Sequence, residues 1–243
     1  MILDKIEKAV VICGGEGTRL RPMTYETPKP LVKVNGVPII DKVVSELKAN
    51  GISDITLAIG YKAKMFMDHF GDGNGFGVRI GYSVEEKPLG TGGAIKKALL
   101  EKVNMDTDES VLVANGDNIF EIDLEHMYEL HRMHKAIATI AVKRVDDVTG
   151  YGVISVENSE IKKFVEKPKK EDAESSLINL GIYIISQDAI ADLPKTESFS
   201  MERDFFEGMA NTGKLYAFVS DKIWYPIDTI ERYNKACKEW KPS

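Results

Sequence analysis

Short apolar runs and amphipathic stretches take turns along the first 143 residues, and this alternation restricts the fold more than any other feature of the chain. "KAVVIC" (8–13), "DITLAIG" (54–60), "GVRIGYSV" (77–84) and "SVLVANGD" (110–117) have the length and β-branched content of strands. Residues 38–50, 61–70, 92–102 and 123–134 have the spacing of helices. In the first of these, Pro38 opens the helix, Ile39, Ile40, Val43, Val44 and Leu47 share one face, and Asn50-Gly51 ends it. Parallel strands need a crossover between them, usually helical, so the pattern predicts an α/β fold with a largely parallel sheet.

The pattern changes after residue 150. "YGVISVENSEIKKFVEKP" (151–168) predicts a β-hairpin turning at Glu157-Asn158-Ser159. "SLINLGIYIIS" (176–186) and "KLYAFVS" (214–220) read as strands, and residues 200–210 and 228–240 as helices. No repeat, low-complexity tract or flexible linker interrupts the chain. The expectation is a single domain over 1–243, with lobes at 1–143 and 144–227, a closing helix in 228–243, and a cleft between the lobes.

With 243 residues and 43% hydrophobic content, such a domain can bury a sizeable core. Net charge −6 argues against nucleic acid as a partner, because duplex binding rests on cationic contacts. Cys13 and Cys237 are the only cysteines, which suits a reducing cytoplasm, and Cys13 at a strand end reads as a small apolar residue. "MILDKIEKAVVIC" lacks the apolar core of a signal peptide. No apolar run approaches the ~20 residues of a membrane span, so no membrane partner is expected.

Charge is distributed unevenly. After the strand 8–13 come Gly14, Gly15 and Gly17, then Arg19, Arg21, Lys29 and Lys33 against Glu26 alone in residues 17–33. Glycines at a strand end let backbone N–H groups approach a phosphate, and prolines 22, 28 and 30 stiffen the loop. The dinucleotide fingerprint G-x-G-x-x-G fails, because Leu20 stands where its third glycine belongs. A near-match to G-x-x-x-x-G-K-[ST] at Gly208, Gly213 and Lys214 also fails at Leu215, and reads as a helix end entering a strand.

"GGEGTRLRPMTYETPKPLVKVNGVPII" resembles the signature of the sugar-1-phosphate nucleotidyltransferases, G-x-G-T-R-L-x-P-x-T-x-x-x-P-K-x-L-x-x-V, at every fixed position. "PLGTGGAI" (88–95), "NGDNI" (115–119), "YGVI" (151–154), "EKP" (166–168), "NLGIY" (179–183) and "IDT" (227–229) follow in the family's order. The resemblance implies a Rossmann-like, mixed, mostly parallel sheet flanked by helices, with a smaller β-rich sugar-binding lobe. It implies as partners a nucleoside triphosphate and a sugar 1-phosphate, joined with release of pyrophosphate, in a cytoplasmic monomer or homodimer. The chain's end at Ser243 suits a minimal catalytic domain.

By the same resemblance, Ile12, Cys13, Gly14, Gly15, Gly17 and Thr18 surround the nucleotide, as do Glu85, Gly90, Thr91, Asn115 and Gly116. Arg19 would oppose charge on the departing pyrophosphate, and Lys29 would sit near the α-phosphate. Gly152, Glu166 and Asn179 would meet the sugar, and Lys167 its phosphate. Lys33 receives no role. Asp117 and Asp228 would hold Mg²⁺, which takes one or two carboxylates together with phosphate oxygens. Asp117 in Asn-Gly-Asp-Asn also suits a plain turn, and Asp228 with Glu231 suits a capping box. A phosphate nucleophile is already ionised, so this chemistry needs cations and no general base. None of the four histidines falls in a matched motif. His131 and His134, at i and i+3, could share a metal, but no ligand set completes the site, and with His126 they read as an exposed helix face. Met65 and Met67 beside Phe66 read as helix packing.

In this family the segment before and at "LGTGG" lines the base pocket, and thymidylyl and many uridylyl relatives carry a glutamine there, in L-A-Q-A or P-A-Q-A runs; here the run is "EEKPLGTGGAI", which resembles guanylyl relatives acting on mannose or heptose 1-phosphates. Guanine presents N1–H and an amino group, a donor pair that Glu85 or Glu86 can accept, unless both simply end a strand in solvent. Uracil and thymine present two carbonyls that a carboxylate repels, and Pro88 removes a backbone donor. GTP is therefore the expected nucleotide, with UTP as runner-up. Rival readings are a silent regulatory subunit that binds nucleotide-sugar and a transferase for another alcohol phosphate. Retention of Arg19, Lys29, Asp117, Lys167 and Asp228 speaks against the first.

Overall fold

A computed structural model describes residues 5–103, 105 and 109–242. The first half contains β1 (Lys8–Ile12), β2 (Lys33–Val34), β3 (Val37–Pro38), α1 (Ile39–Ala49), β4 (Asp54–Ile59), α2 (Ala63–Phe70), β5 (Arg79–Val84) and α3 (Gly90–Glu101). There follow β6 (Ser110–Asn115), β7 (Asn118–Phe120), α4 (Leu124–Met133), β8 (Ala138–Arg144), β9 (Gly152–Glu157), β10 (Glu160–Glu166) and β11 (Leu177–Ser186). The chain ends with α5 (Ala189–Asp192), a π-helical turn (Met201–Phe206), α6 (Glu207–Met209), β12 (Leu215–Val219), β13 (Trp224–Pro226) and α7 (Ile230–Glu239).

Nine strands form one sheet in the order β5-β4-β1-β6-β11-β8-β12-β10-β9. β5, β4, β1 and β6 are parallel, as the alternation predicts. β11 enters antiparallel to both β6 and β8, and β10 antiparallel to β12 and β9, so these two run against the rest of a mostly parallel sheet. The strands of the second half extend the first half's sheet, and the 143/144 division falls at the end of β8 with no break in the ladder.

Both faces of the sheet are covered. Val10 and Val11 are each fully buried, but in different clusters. Val11 joins Leu47, Phe66 and Met127 from α1, α2 and α4; Val10 joins Ile95 and Leu99 from α3 with Phe205 and Phe206. Side chains on a strand alternate in direction, so a continuous apolar run is what a doubly covered strand requires. A third cluster, with Leu20, Val34, Ile39, Ile227 and Trp240, fastens the basic loop and α7 to one another.

Several expectations change. The apolar run Ala138–Arg144, not anticipated as a strand, is β8 at the heart of the sheet. Residues 200–210 form a π-helical turn and a short α-helix in place of one regular helix. His131 is not on an exposed face: it is 3% exposed, with Nδ1 at 2.9 Å from Thr139 Oγ1 and Nε2 at 3.2 Å from Ser110 Oγ. Its spacing from Leu124 and Met127 puts it on α4's inward face, where two hydroxyls replace water. Burial lowers its pKa to about 4. His134 stacks on Tyr216 at 4.1 Å, and His126 alone of the three lies in solvent, against the cap residue Asp123. Met67 is 37% exposed, whereas Met65 packs against the core beside the buried Phe66 and Phe70 of α2.

Candidate active site

Parallel strands end together on one rim. Ile12 pairs with Ala58 of β4 and with Asn115 of β6, so Cys13, Ile59 and Gly116 come level at the strand ends. Ligands in open α/β sheets bind outside such carboxyl ends. Three adjoining cavities lie along this rim and share walls. One of about 500 Å³ lies between the glycine loop and residues 85–94, one of about 210 Å³ lies over Gly14 to Arg19, and one of about 460 Å³ reaches to β9, β10 and β11. Ile12, Gly14 and Gly15 border the first two; Arg19, Lys29, Asp117 and Asp228 border the last two; Thr91 borders the first and the last.

The loop's conformation explains its glycines. Gly17 has φ 60°, and a Cβ there would lie 2.9 Å from Lys29 Cβ. Thr24 Oγ1 donates to Gly17 O at 2.9 Å and braces the turn. Arg21 pairs with Glu16 at 2.7 Å on the outside. Lys29 is 7% exposed, and its Nζ meets Asp117 Oδ2 at 2.5 Å. Arg19 Nη1 meets Asp228 Oδ2 at 2.8 Å, and Arg232 Nη1 meets Asp228 Oδ1 at 2.8 Å. Burial pushes the Asp228 carboxyl up, but the hydrogen bond and charge of Arg232, aided by Arg19 and Lys29, outweigh it and hold the group below its ordinary value. Arg232 also lies over the Tyr151 ring, 4.5 Å from its centroid.

Asp228 does not cap α7. Thr229 does, its Oγ1 accepting from Arg232 N at 3.2 Å; the cap lies one residue beyond the expected Asp228, and with Arg232 in place of an acid three residues on it is a simple N-cap, not a capping box. The aspartate is thereby free to face the cavity that Asp117 also lines.

The sequence-derived residues divide into walls and supports. Gly14, Gly15, Gly17, Thr18, Glu85, Gly90 and Thr91 line the first two cavities, and Gly152, Glu166, Lys167 and Asn179 all line the third. Asn115 faces the third cavity, not the one beside Glu85. Cys13 is buried beneath the loop; burial, then the Asp117 charge, push its thiol well up. A Cβ at Gly116 would lie 2.7 Å from Cys13 Sγ, so this glycine makes room for the strand end.

Glu85 does not simply end a strand in solvent. Its Oε2 accepts from Leu89 N at 3.0 Å, and a Cβ at Gly14 would lie 2.9 Å from its Oε1. Burial raises its pKa against the opposing Leu89 hydrogen bond and Lys97 charge. In the third cavity, Gly152 leaves space for Glu166: a Cβ there would lie 2.8 Å from Oε2. Lys167 has φ 52°, uncommon for a side chain of its size, and its Nζ pairs with Glu166 Oε1 at 2.7 Å. A bulge in β11 sets Asn179, whose Oδ1 accepts from Gly181 N at 2.8 Å, with Gly181 at φ 73°. Sequence reasoning missed Tyr151, Ser200, Glu202, Arg203 and Trp224 on this wall, and Arg232 behind it. Only Arg232 carried a readable signal, its i,i+4 spacing from Asp228.

A family model described as "Nucleotidyl transferase" matches residues 8–241. The chain belongs to the sugar-1-phosphate nucleotidyltransferases. It is 36% identical over 232 residues to the D-glycero-alpha-D-manno-heptose 1-phosphate guanylyltransferase of Aneurinibacillus thermoaerophilus, covering 96% of this chain and 97% of that protein. It is 36% identical over 228 residues to the mannose-1-phosphate guanylyltransferase of Mycobacterium tuberculosis, covering 93% of this chain and 62% of that protein. A uridylyltransferase is among its relatives too. The crystal structure of HddC from Yersinia pseudotuberculosis complexed with GMP-PN superposes with a TM-score of 0.81 at 32% identity, covering 97% of this chain and 100% of that one. As in other nucleotidyltransferases of this family, the enzyme joins a nucleoside triphosphate to a sugar 1-phosphate. Among the described residues no helix is long and apolar enough to cross a membrane.

Proposed function

We propose that this nucleotidyltransferase transfers a guanylyl group from GTP to a manno-configured sugar 1-phosphate, either mannose or heptose. The observation that carries the base assignment is the position of Glu85, half-buried on the wall between the glycine loop and Leu89 with its Oε1 at Gly14. A carboxylate there accepts the paired N–H donors of guanine and opposes the carbonyls of uracil. The guanylyltransferase names of the relatives quoted above agree with this reading.

In the reaction a phosphate oxygen of the sugar bonds to the α-phosphorus of GTP as the bond from that phosphorus to the bridging oxygen breaks, and pyrophosphate departs. The triphosphate lies along Gly14 to Arg19, where backbone N–H groups and Arg19 take the β and γ charge. Lys29, already desolvated, stabilises the α-phosphate. Lys167, with its Nζ in the third cavity, holds the sugar's phosphate, and Gly152, Glu166 and Asn179 hold the sugar. Such a site lowers the barrier by placing fixed charge where charge develops. Asp117 and Asp228 supply hard oxygen ligands on the wall common to the phosphate and sugar cavities, a donor set that fits Mg²⁺ completed by phosphate oxygens. When bound there, Mg²⁺ supplies further charge neutralisation at the phosphates.

The test is pyrophosphate release with GTP, UTP, dTTP and CTP, each against mannose 1-phosphate, D-glycero-α-D-manno-heptose 1-phosphate and glucose 1-phosphate. GTP with a manno-configured acceptor is expected to give the highest kcat/KM. A preference for UTP or dTTP would overturn the role given to Glu85.

A further inference from the structure

The sugar-side cavity contains one carboxylate with no cationic partner among the described residues. Glu202 stands in the π-helical turn and lines this cavity with Ser200, Glu166 and Asn179. Its Oε2 accepts from Thr91 Oγ1 at 2.6 Å and from Ser200 Oγ at 2.7 Å. Its Oε1 accepts only from the Tyr183 hydroxyl, at 3.3 Å. The other carboxylates of the cavity are paired: Glu166 with Lys167, Asp117 with Lys29, and Asp228 with Arg19 and Arg232.

A partly buried carboxylate left without a cation is costly unless hydrogen-bond donors surround it. Each carboxylate oxygen offers about two acceptor directions. The two hydroxyls on Oε2 fill its share, while the single long contact at Oε1 leaves room for a further donor on the cavity side. That donor has to be neutral or cationic, and the phosphate end of the substrate is neither. A pyranose ring presents hydroxyl donors.

We propose that Glu202 Oε1 accepts a hydrogen bond from a ring hydroxyl of the sugar substrate and so contributes to sugar specificity. The proposal rests on the reading that this cavity takes the sugar. Two features make Glu202 a fixed reader of hydroxyl position. Thr91 is itself held, its Oγ1 accepting from Met201 N at 2.9 Å, so the carboxylate is clamped between α3 and the π-helical turn. Tyr183 OH in turn accepts from Asn179 Nδ2 at 2.9 Å, which links Glu202 to a second side chain given to the sugar. A hydroxyl placed wrongly on the ring would leave one of these buried groups without a partner, the situation that discriminates most strongly between similar ligands.

The experiment is calorimetric titration of GDP and GDP-mannose into the wild-type chain, Glu202→Gln and Tyr183→Phe. Glu202→Gln is expected to weaken GDP-mannose about tenfold, the loss of one charge-assisted hydrogen bond, while GDP stays within about twofold. Tyr183→Phe, which frees Asn179 and removes one donor from Glu202, is expected to weaken GDP-mannose about threefold with GDP unchanged. If the glutamine variant does not fold, Glu202→Asp, which withdraws the carboxylate by one methylene, carries the test with the same expected loss. Equal losses for both ligands, or none for either, would overturn the proposal. A failure of the guanine reading is visible separately, as tighter wild-type binding of UDP than of GDP. The same subtraction with UDP and UDP-glucose then reads Glu202.

Discussion

His131 makes the stability of this enzyme depend on pH in a calculable way. Burial between Ser110 and Thr139 lowers its pKa from 6.5 to about 4, so the folded chain holds it neutral where the unfolded chain protonates it. Its folded pKa is depressed. Its contribution is therefore fully present above pH 6.5, declines as the unfolded state takes up a proton, and is wholly lost below about pH 4. At 1.36 kcal/mol per pH unit, the loss is about 2 kcal/mol at pH 5 and about 3 kcal/mol once complete. Asp228 has a lowered pKa of its own, but its loss begins only below its ordinary value of 3.8. Glu85, raised from 4.5 by burial, acts with the opposite sign near pH 5, but it is common to the wild type and the variant and cancels in their comparison. His126, raised by its hydrogen bond to Asp123, acts with the opposite sign but is fully exposed. The assay is urea unfolding at pH 7 and pH 5, for the wild type and for His131→Asn. The wild type should lose about 2 kcal/mol more than the variant between these pH values, although the variant starts lower at pH 7. Equal losses in the two proteins would refute the assignment of a buried, neutral histidine.

Asp117→Asn and Asp228→Asn should each reduce turnover at saturating Mg²⁺ by about a hundredfold or more. Because Thr229 is the cap, Asp228→Asn should leave the thermal midpoint within a few degrees of wild type. Near-normal turnover, measured by pyrophosphate release, would remove either residue from the proposed metal site. Arg19→Ala should lower kcat more than it raises the KM for sugar 1-phosphate, since the charge it opposes grows in the transition state; a change confined to that KM would move Arg19 to the sugar side. Gly17→Ala combines a left-handed φ of 60° with a Cβ 2.9 Å from Lys29, and should cost about 2–4 kcal/mol of stability by urea unfolding. Gly92→Ala would drive its Cβ into the Phe199 ring and should destabilise by about 1–3 kcal/mol, which Phe199→Leu partly restores.

What the sequence disclosed followed the range of the interactions involved. Helix α1 was legible to within a residue because Pro38, the apolar face and Asn50-Gly51 are all local signals. The hairpin turn was legible because Asn158 and Ser159 both take positive φ in a two-residue loop. β8 escaped because it follows α4 after a tight turn and has no breaker of its own. Its place between β11 and β12 is set by pairings distant in sequence. The glycine loop and the two aspartates were found by motif, but not the exchange of partners among them. Nothing local ties Lys29 to Asp117 or Arg19 to Asp228, which lie 88 and 209 residues apart. Within "LGTGG", Gly90 and Thr91 line the cavity beside Glu85, while Gly92 and Gly93, given no role from the sequence, face the segment 197–199 and owe their size to that close approach. His131 was misread because an amphipathic pattern does not distinguish a solvated histidine from one with hydroxyls waiting across the sheet.

The uninterrupted ladder has a consequence for how substrates are accommodated. β11 is bonded along one edge to β6, which ends at Asn115 on the rim, and along the other to β8, with β9 also pairing at its start. Swinging one half of the molecule away from the other would mean unzipping five residue pairs between β6 and β11 in the middle of the core. No hinge of that kind is available at an affordable free energy. The width of the trough is a property of the scaffold, and an acceptor too bulky for it has to be met by rearranging the loops above the strand ends. Altering sugar preference is then a matter of side chains and loops on the far wall, and the strands beneath can be left as they are.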